Sequence, residues 1–190
     1  MAVPGERKLQ ILQTLAEMLQ MPAAEKITTA ALAARLQVSE AALYRHFASK
    51  AQMFEGLIEF IEQSVFGLIN KIISSEESGM VQLEAIVSVL LGFAEKNPGM
   101  TRVLIGDALV NENDRLQARI NQLHDRIEAT LRQCLRIAAT QQETQADSAS
   151  AANLLLCMVV GRWQQFAKSG FKRSPAADFA SQWALIRAGI

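Results

Sequence analysis

The sequence is poor in everything that interrupts or cross-links a helical chain. Four prolines in 190 residues leave long stretches with no helix-breaking residue. The glycines stand singly, so no phosphate-cradling loop is present. Only two cysteines occur, Cys134 and Cys157, both in apolar helical surroundings. That excludes a disulfide framework and predicts buried thiols in a reducing compartment. Neither charge dominates: 19 basic residues balance 19 acidic ones, which rules out a globally basic nucleic-acid coat but not a local basic patch. His46 and His124 are far apart and have no Cys or carboxylate spacing around them, so no metal or other cofactor is expected. No Ser–His–acid grouping can be assembled, and no catalytic residue is expected. The most apolar run, "LLLCMVVG" at 154–161, falls short of the roughly 18 residues a membrane span needs. The opening "MAVPGERKLQ" lacks an apolar signal core. These absences predict a soluble, cytoplasmic protein without a membrane partner.

What is present is helical periodicity over nearly the whole chain, and the fold expected is all-α. Half of the residues are hydrophobic, enough for one sizeable core, or for a small domain attached to a larger one. Leu9, Leu12, Leu15, Ala16 and Leu19 mark a first helix, stopped near "QMPAAE". Ser49 reads as the N-cap of a long helix with the stripe Phe54, Ile58, Ile61, Val65, Ile69 and Ile72. "SSEESG" breaks it. A further helix carries Leu83, Ile86, Val87, Leu90, Leu91 and Ala94 up to "KNPG". "MTRVLIGDALV" then leads into a long helix with Leu116, Ile120, Leu123, Ile127, Leu131 and Leu135. A polar loop is predicted over 139–151, followed by helices at 150–169 and 175–188. The domain division expected is 1–49 and 50–190.

Between the first helix and the long one lie two short helical bursts, in "TTAALAARLQVSEAALYRHFASK" at 28–50. Neither is long enough to persist alone in water. Thr28 or Thr29 can cap the first and Ser39 the second. Leu32, Leu36, Leu43 and Phe47 can share a small core with the first helix, while Ser39, Glu40, Ala41, Tyr44 and Arg45 have little to bury against. Small and polar residues at the start of a helix suit one whose N-terminal end enters the DNA major groove. Tyr44, His46 and Lys50 are spaced to grip phosphates, with Arg7 and Lys8 in reach of a flanking backbone. Within 1–50, Arg7, Lys8, Lys26, Arg35, Arg45 and Lys50 outnumber Glu6, Glu17, Glu25 and Glu40.

This stretch resembles the helix-turn-helix signature of the TetR family of bacterial DNA-binding regulators, over about 45 residues in which capping, core and contact positions are fixed together. One position departs: the family usually has Gly before "VS", where this chain has Gln37, at a strain cost of roughly 1 kcal/mol. The resemblance implies DNA contacts from Thr28, Thr29, Ser39, Ala41, Tyr44, Arg45, His46 and Lys50, to palindromic double-stranded sites. "SEAALYRHFASKAQMFEGLIEFIEQS", "LLGFAEKNPGMTR" and "RLQARINQLHDRIEATLRQ" are similar, further, to the nucleoid-occlusion branch of the family. Such proteins bind DNA and the tubulin-like division protein FtsZ, and keep division rings from assembling over the chromosome. The resemblance thus implies a nucleoid-associated protein that blocks division.

The residues themselves allow a second surface. Phe60 falls roughly 110° off the centre of its helix's buried stripe, taking about 100° per residue. Val89, Gly92 and Lys96 point away from the buried set of their helix, with Asn97 at its end. A mid-helix Gly costs about 1 kcal/mol against Ala, and an outward one leaves a notch suited to an extended, partly acidic peptide. Close packing against a neighbouring helix would explain Gly92 equally well. With the resemblance, Phe60, Val89, Gly92, Lys96 and Asn97 become candidates for contact with FtsZ, through its C-terminal tail. The alternative is a ligand-responsive transcriptional repressor with the same DNA reader. Trp163, Phe166, Phe171 and Trp183 could line its pocket, although core or interface packing suits them better. His124 is expected to cap or solvate a helix surface. The apolar set Leu154, Leu155, Leu156, Met158, Val159, Trp163 and Phe166 covers more than one helix face and predicts a homodimer, with higher-order assembly on DNA left open.

Overall fold

A computed structural model describes residues 4–21 and 27–190, the side chains of residues 4 and 5 excepted. The stop expected at Pro22 and the charges of Glu25 and Lys26 lie outside the described residues. Among those described, the chain is all-helical: α1 (Pro4–Met18), α2 (Thr29–Arg35), α3 (Glu40–Tyr44), α4 (Lys50–Ser75), α5 (Gly79–Lys96), α6 (Pro98–Leu104), α7 (Asp114–Thr140), α8 (Ser148–Lys168) and α9 (Phe179–Gly189), with a 3-10 turn at Asp107–Leu109. It divides into two compact units, 1–61 with 97–120, and 62–96 with 121–190.

In the first unit α1 buries Ile11, Leu15, Ala16 and Leu19. Leu9 is 40 % exposed, so the buried stripe is centred on Ile11 and Leu15, one register away from the expected Leu9. Pro98 opens α6 at a position where its missing N–H costs nothing. The next residue explains the "NPG" sequence. A Cβ on Gly99 would lie 1.8 Å from the carbonyl oxygen of Ala16, so α6 meets the backbone of α1 directly, and only glycine fits.

The second unit is built on α5, α7 and α8. Leu83, Ile86, Val87, Leu90, Leu91 and Ala94 are all buried, as the periodicity predicts. Trp163 of α8 is fully buried, and its indole N–H donates to the Leu90 carbonyl at 3.1 Å. Gly79, the first residue of α5, packs against α7: an added Cβ would sit 2.4 Å from both the Cys134 carbonyl oxygen and the Ala138 amide nitrogen. On α7 the expected pair forms, Arg132 donating to Glu128 at 2.7 Å, and Glu128 also accepts from Asn153 at 3.1 Å.

Three further expectations need correction. The loop predicted at 139–151 spans only 141–147, because α7 runs to Thr140 and Asp147 caps α8 by accepting from the Ser150 amide at 2.9 Å. The "SASA" residues are thus the first turn of a helix. The hydroxyl and amide of Ser150 hold the Asp147 carboxyl below the usual carboxylate range. Secondly, α9 starts at Phe179 and not at 175, since Asp178 takes a left-handed φ of 56°. Arg162 ties that connection down, donating to the carbonyls of Pro175 and Ala177 and to Gln182. Thirdly, Cys157 is exposed and only Cys134 is buried. Residue 157 sits on a face of α8 that this chain does not cover.

Candidate functional site

Two helices of seven and five residues survive because caps and core act on each. Thr28 accepts from the Ala31 amide at 3.1 Å and Ser39 from the Ala42 amide at 3.3 Å, each satisfying a donor that the helix cannot. Leu32, Ala33 and Leu43 are buried, and Phe47 follows beyond α3. The turn between them closes by paired backbone bonds, Val38 to the Ala33 carbonyl and Gln37 to the Ala34 carbonyl, both at 3.0 Å. This is the Schellman arrangement, whose pivot residue is left-handed. Gln37 is that pivot, with φ 56°, so the strain expected from its replacing glycine is present.

The outward side of this unit gathers the residues expected to meet DNA. Thr28, Ser39, Ala41, Tyr44 and Arg45 are exposed, while Thr29, His46 and Lys50 are partly covered. Not every polar group is unoccupied. The Thr29 hydroxyl donates to the Glu40 carboxylate at 2.6 Å, and Tyr44 Oη reaches Thr29 Oγ1 at 3.5 Å. Lys50, at the start of α4, pairs with Glu112 and lies 5.7 Å from the centre of the Phe54 ring. The sequence gives no hint of Glu112, which stands 62 residues further along the chain. Arg7 bonds to Gln10 at 2.6 Å, and Lys8 lies 5.7 Å over the Phe47 ring.

The second candidate set falls in both units. Phe60 and Asn97 belong to the first and are half-buried. Val89, Gly92 and Lys96 belong to the second, on the side of α5 away from its core; Lys96 is exposed and the other two are half-buried. A Cβ added to Gly92 would meet nothing within 4 Å. Among the described residues of this chain, close packing against a neighbouring helix therefore does not explain Gly92.

Three of the four aromatics expected to group here are core, and Phe171, in the connection between α8 and α9, is half-buried. Trp163, Phe166 and Trp183 are buried, and Phe166 meets Phe171 edge-on at 5.2 Å. His124 is not solvated as expected but half-buried, its ring 6.0 Å from that of Trp163. A separate cavity of about 310 Å³ lies among Ile73, Gln82, Cys134 and Ile137. Burial pushes the Cys134 thiol up to about 11. Leu155, Leu156, Val159, Trp163 and Phe166 pack within the chain, so of the apolar face expected at an interface only Leu154, 58 % exposed, and Met158 remain outward, joined by Leu185 at 77 %. Among the described residues no group of three or more His, Cys, Asp or Glu could hold a metal, and no helix is long and apolar enough to cross a membrane.

Known proteins share both parts. Residues 11–57 match the family model for bacterial regulatory proteins of the tetR family, and residues 77–190 the tetracyclin repressor-like C-terminal domain of SlmA-like proteins. A TetR family transcriptional regulator from Thermus thermophilus, PfmR, superposes with a TM-score of 0.80 over 95 % of this chain and 98 % of its own, at 22 % identity, a likeness of fold alone. Curated relatives are far more similar in sequence. The nucleoid occlusion factor SlmA of Alteromonas mediterranea is 51 % identical over 95 % of this chain and 94 % of its own. That of Idiomarina loihiensis is 50 % identical over 95 % and 93 %. With an N-terminal tetR-type reader and likeness along nearly its full length, the chain belongs to the SlmA family of nucleoid occlusion factors, a branch of the TetR regulators and not a family of enzymes.

Proposed function

We infer that this chain is a nucleoid occlusion factor: it binds specific double-stranded DNA sites as a homodimer and, so bound, antagonises FtsZ ring assembly over the chromosome. The observation that carries the reading is the identity of about half its residues, over almost its whole length, with curated nucleoid occlusion factors. Residues 1–49 serve as the reader, with Thr28, Thr29, Ser39, Ala41, Tyr44, Arg45 and His46 at the DNA, joined by Lys50 just beyond it at the start of α4. Residues 50–190 serve dimerisation and partner binding. The outward Leu154 and Leu185 support a two-fold pairing of α8 and α9, which palindromic DNA requires. A monomer at micromolar concentration in sedimentation would rule it out.

For the partner, the open side of α5 at Val89, Gly92 and Lys96 supports docking of an extended tail, the FtsZ C-terminus, with Phe60 and Asn97 as further members of the proposed set. Such a tail makes few contacts, so its affinity is weak for one site and rises when DNA gathers several dimers into one effective concentration. The test compares wild type with Gly92→Trp, both loaded with DNA, in sedimentation of FtsZ polymers. The variant should keep its DNA affinity and lose the effect on polymers. Retention of the effect by Gly92→Trp, together with release from DNA by a metabolite, would favour a ligand-responsive repressor instead.

A further inference from the structure

The Glu40 carboxylate stands where a DNA reader should least tolerate negative charge. It is the first residue of α3, exposed, and on the end of that helix which the DNA-binding reading places in the groove. Several other acids of the first unit have cations: Glu17 lies 3.9 Å from Arg35, Glu55 lies 3.7 Å from Arg115 and Glu112 pairs with Lys50. Among the described residues Glu40 meets no cation. Its one partner is a neutral hydroxyl, Thr29 Oγ1, at 2.6 Å to Oε2, which in turn is approached by Tyr44 Oη. The side chain is therefore held in one position across α2 and α3 with Oε1 free to accept, unneutralised and unable to face a phosphate.

An acceptor fixed at that place needs a donor on a base edge. The major groove offers two amino groups, on cytosine N4 and adenine N6. Adenine N6 lies beside the acceptor N7, which repels a second carboxylate oxygen, so Gln or Asn suits adenine and Glu suits cytosine. We propose that Glu40, braced by Thr29, is a specificity-determining residue that reads the amino group of one cytosine in each half-site. The proposal rests on the DNA-binding reading.

The test is selection of bound duplexes from a randomised pool by the full chain, as wild type, Glu40→Gln and Thr29→Val. Glu40→Gln keeps an oxygen for Thr29 and removes the charge. Wild type should enrich cytosine at one symmetry-related position, on the order of tenfold over other bases. Glu40→Gln should lose or change the preference there alone, towards adenine, and Thr29→Val should blunt the cytosine preference without moving its position. Identical preferences for wild type and Glu40→Gln at every position, or a uniform gain in affinity for all sequences, would overturn the proposal and leave Glu40 as a helix-end acid. If wild type enriches no sequence at all, the DNA-binding reading itself fails and takes this one with it.

Discussion

The two ends of α5 use glycine to opposite purposes. At Gly79 a side chain would strike the backbone of α7, 2.4 Å from the Cys134 carbonyl oxygen. At Gly92 it would strike nothing. Close packing accounts for the first and leaves the second unexplained, although Gly92, inside the helix, costs it propensity. Stability and function can thus be separated by one atom placed at either end.

The largest effect is expected at the packed end. Gly79→Ala should destabilise the fold by about 3 kcal/mol, because the obstacle is backbone and cannot rotate away; thermal melting would show it. A melt unchanged from wild type would mean that α5 and α7 are not in such close register. The same interface carries a pH signature. Cys134 keeps its proton in the folded state up to about pH 11, well above an ordinary thiol near 8.5. Between those values the unfolded chain binds fewer protons than the folded one, so stability falls as pH rises. Cys134→Ala should flatten that alkaline decline relative to wild type in parallel denaturation series.

At the open end the sign reverses. Gly92→Ala should raise stability by about 1 kcal/mol, the helix-propensity difference with no clash to oppose it, and leave DNA affinity unchanged by fluorescence anisotropy. Gln37 sharpens the contrast from the other direction, as a side chain where the backbone wants glycine. Gln37→Gly should stabilise by less than about 1 kcal/mol, since relief of the left-handed strain is partly offset by a freer unfolded chain. The smallest effect concerns an engaged group in the reader: Glu112→Gln frees Lys50 and should tighten DNA binding roughly two- to fivefold, the scale of one partly exposed ion pair.

Most of this architecture was legible in periodicity. The stripes of α5 and α7, and that of α4 as far as Ile69 but not Ile72, fall where 3.6-residue spacing puts them, as do the caps Thr28, Ser39 and Ser49. What failed was local or long-range. The polar run at 139–151 contains both a helix end and a helix start, and composition cannot separate a cap from a loop when both favour Ser and Asp. The position of Leu9 turned on a register shift that one apolar residue, Ile11, decided. Of the candidate DNA residues, exposure could be read from small and polar side chains at a helix start. The partners that occupy Lys50 and Thr29 could not, because Glu112 comes from elsewhere in the chain and Glu40 carries no mark in sequence of the bond it makes. Gly92 was the instructive middle case: the sequence posed two explanations, and the empty space around its Cα removed one.

The pairing of Lys50 with Glu112 also bears on how such a molecule would be distributed along a chromosome. Loose, sequence-blind attachment grows with the number of phosphates a protein neutralises. A chain of zero formal charge, with one of its few reader lysines already satisfied from within, gains little from arbitrary duplex. On the DNA-binding reading it should dwell briefly between sites and long upon them, so that its density mirrors where its sites are written and not how much DNA is present. Division would then be held off by a map encoded in the genome, with empty stretches as permissive as bare cytoplasm.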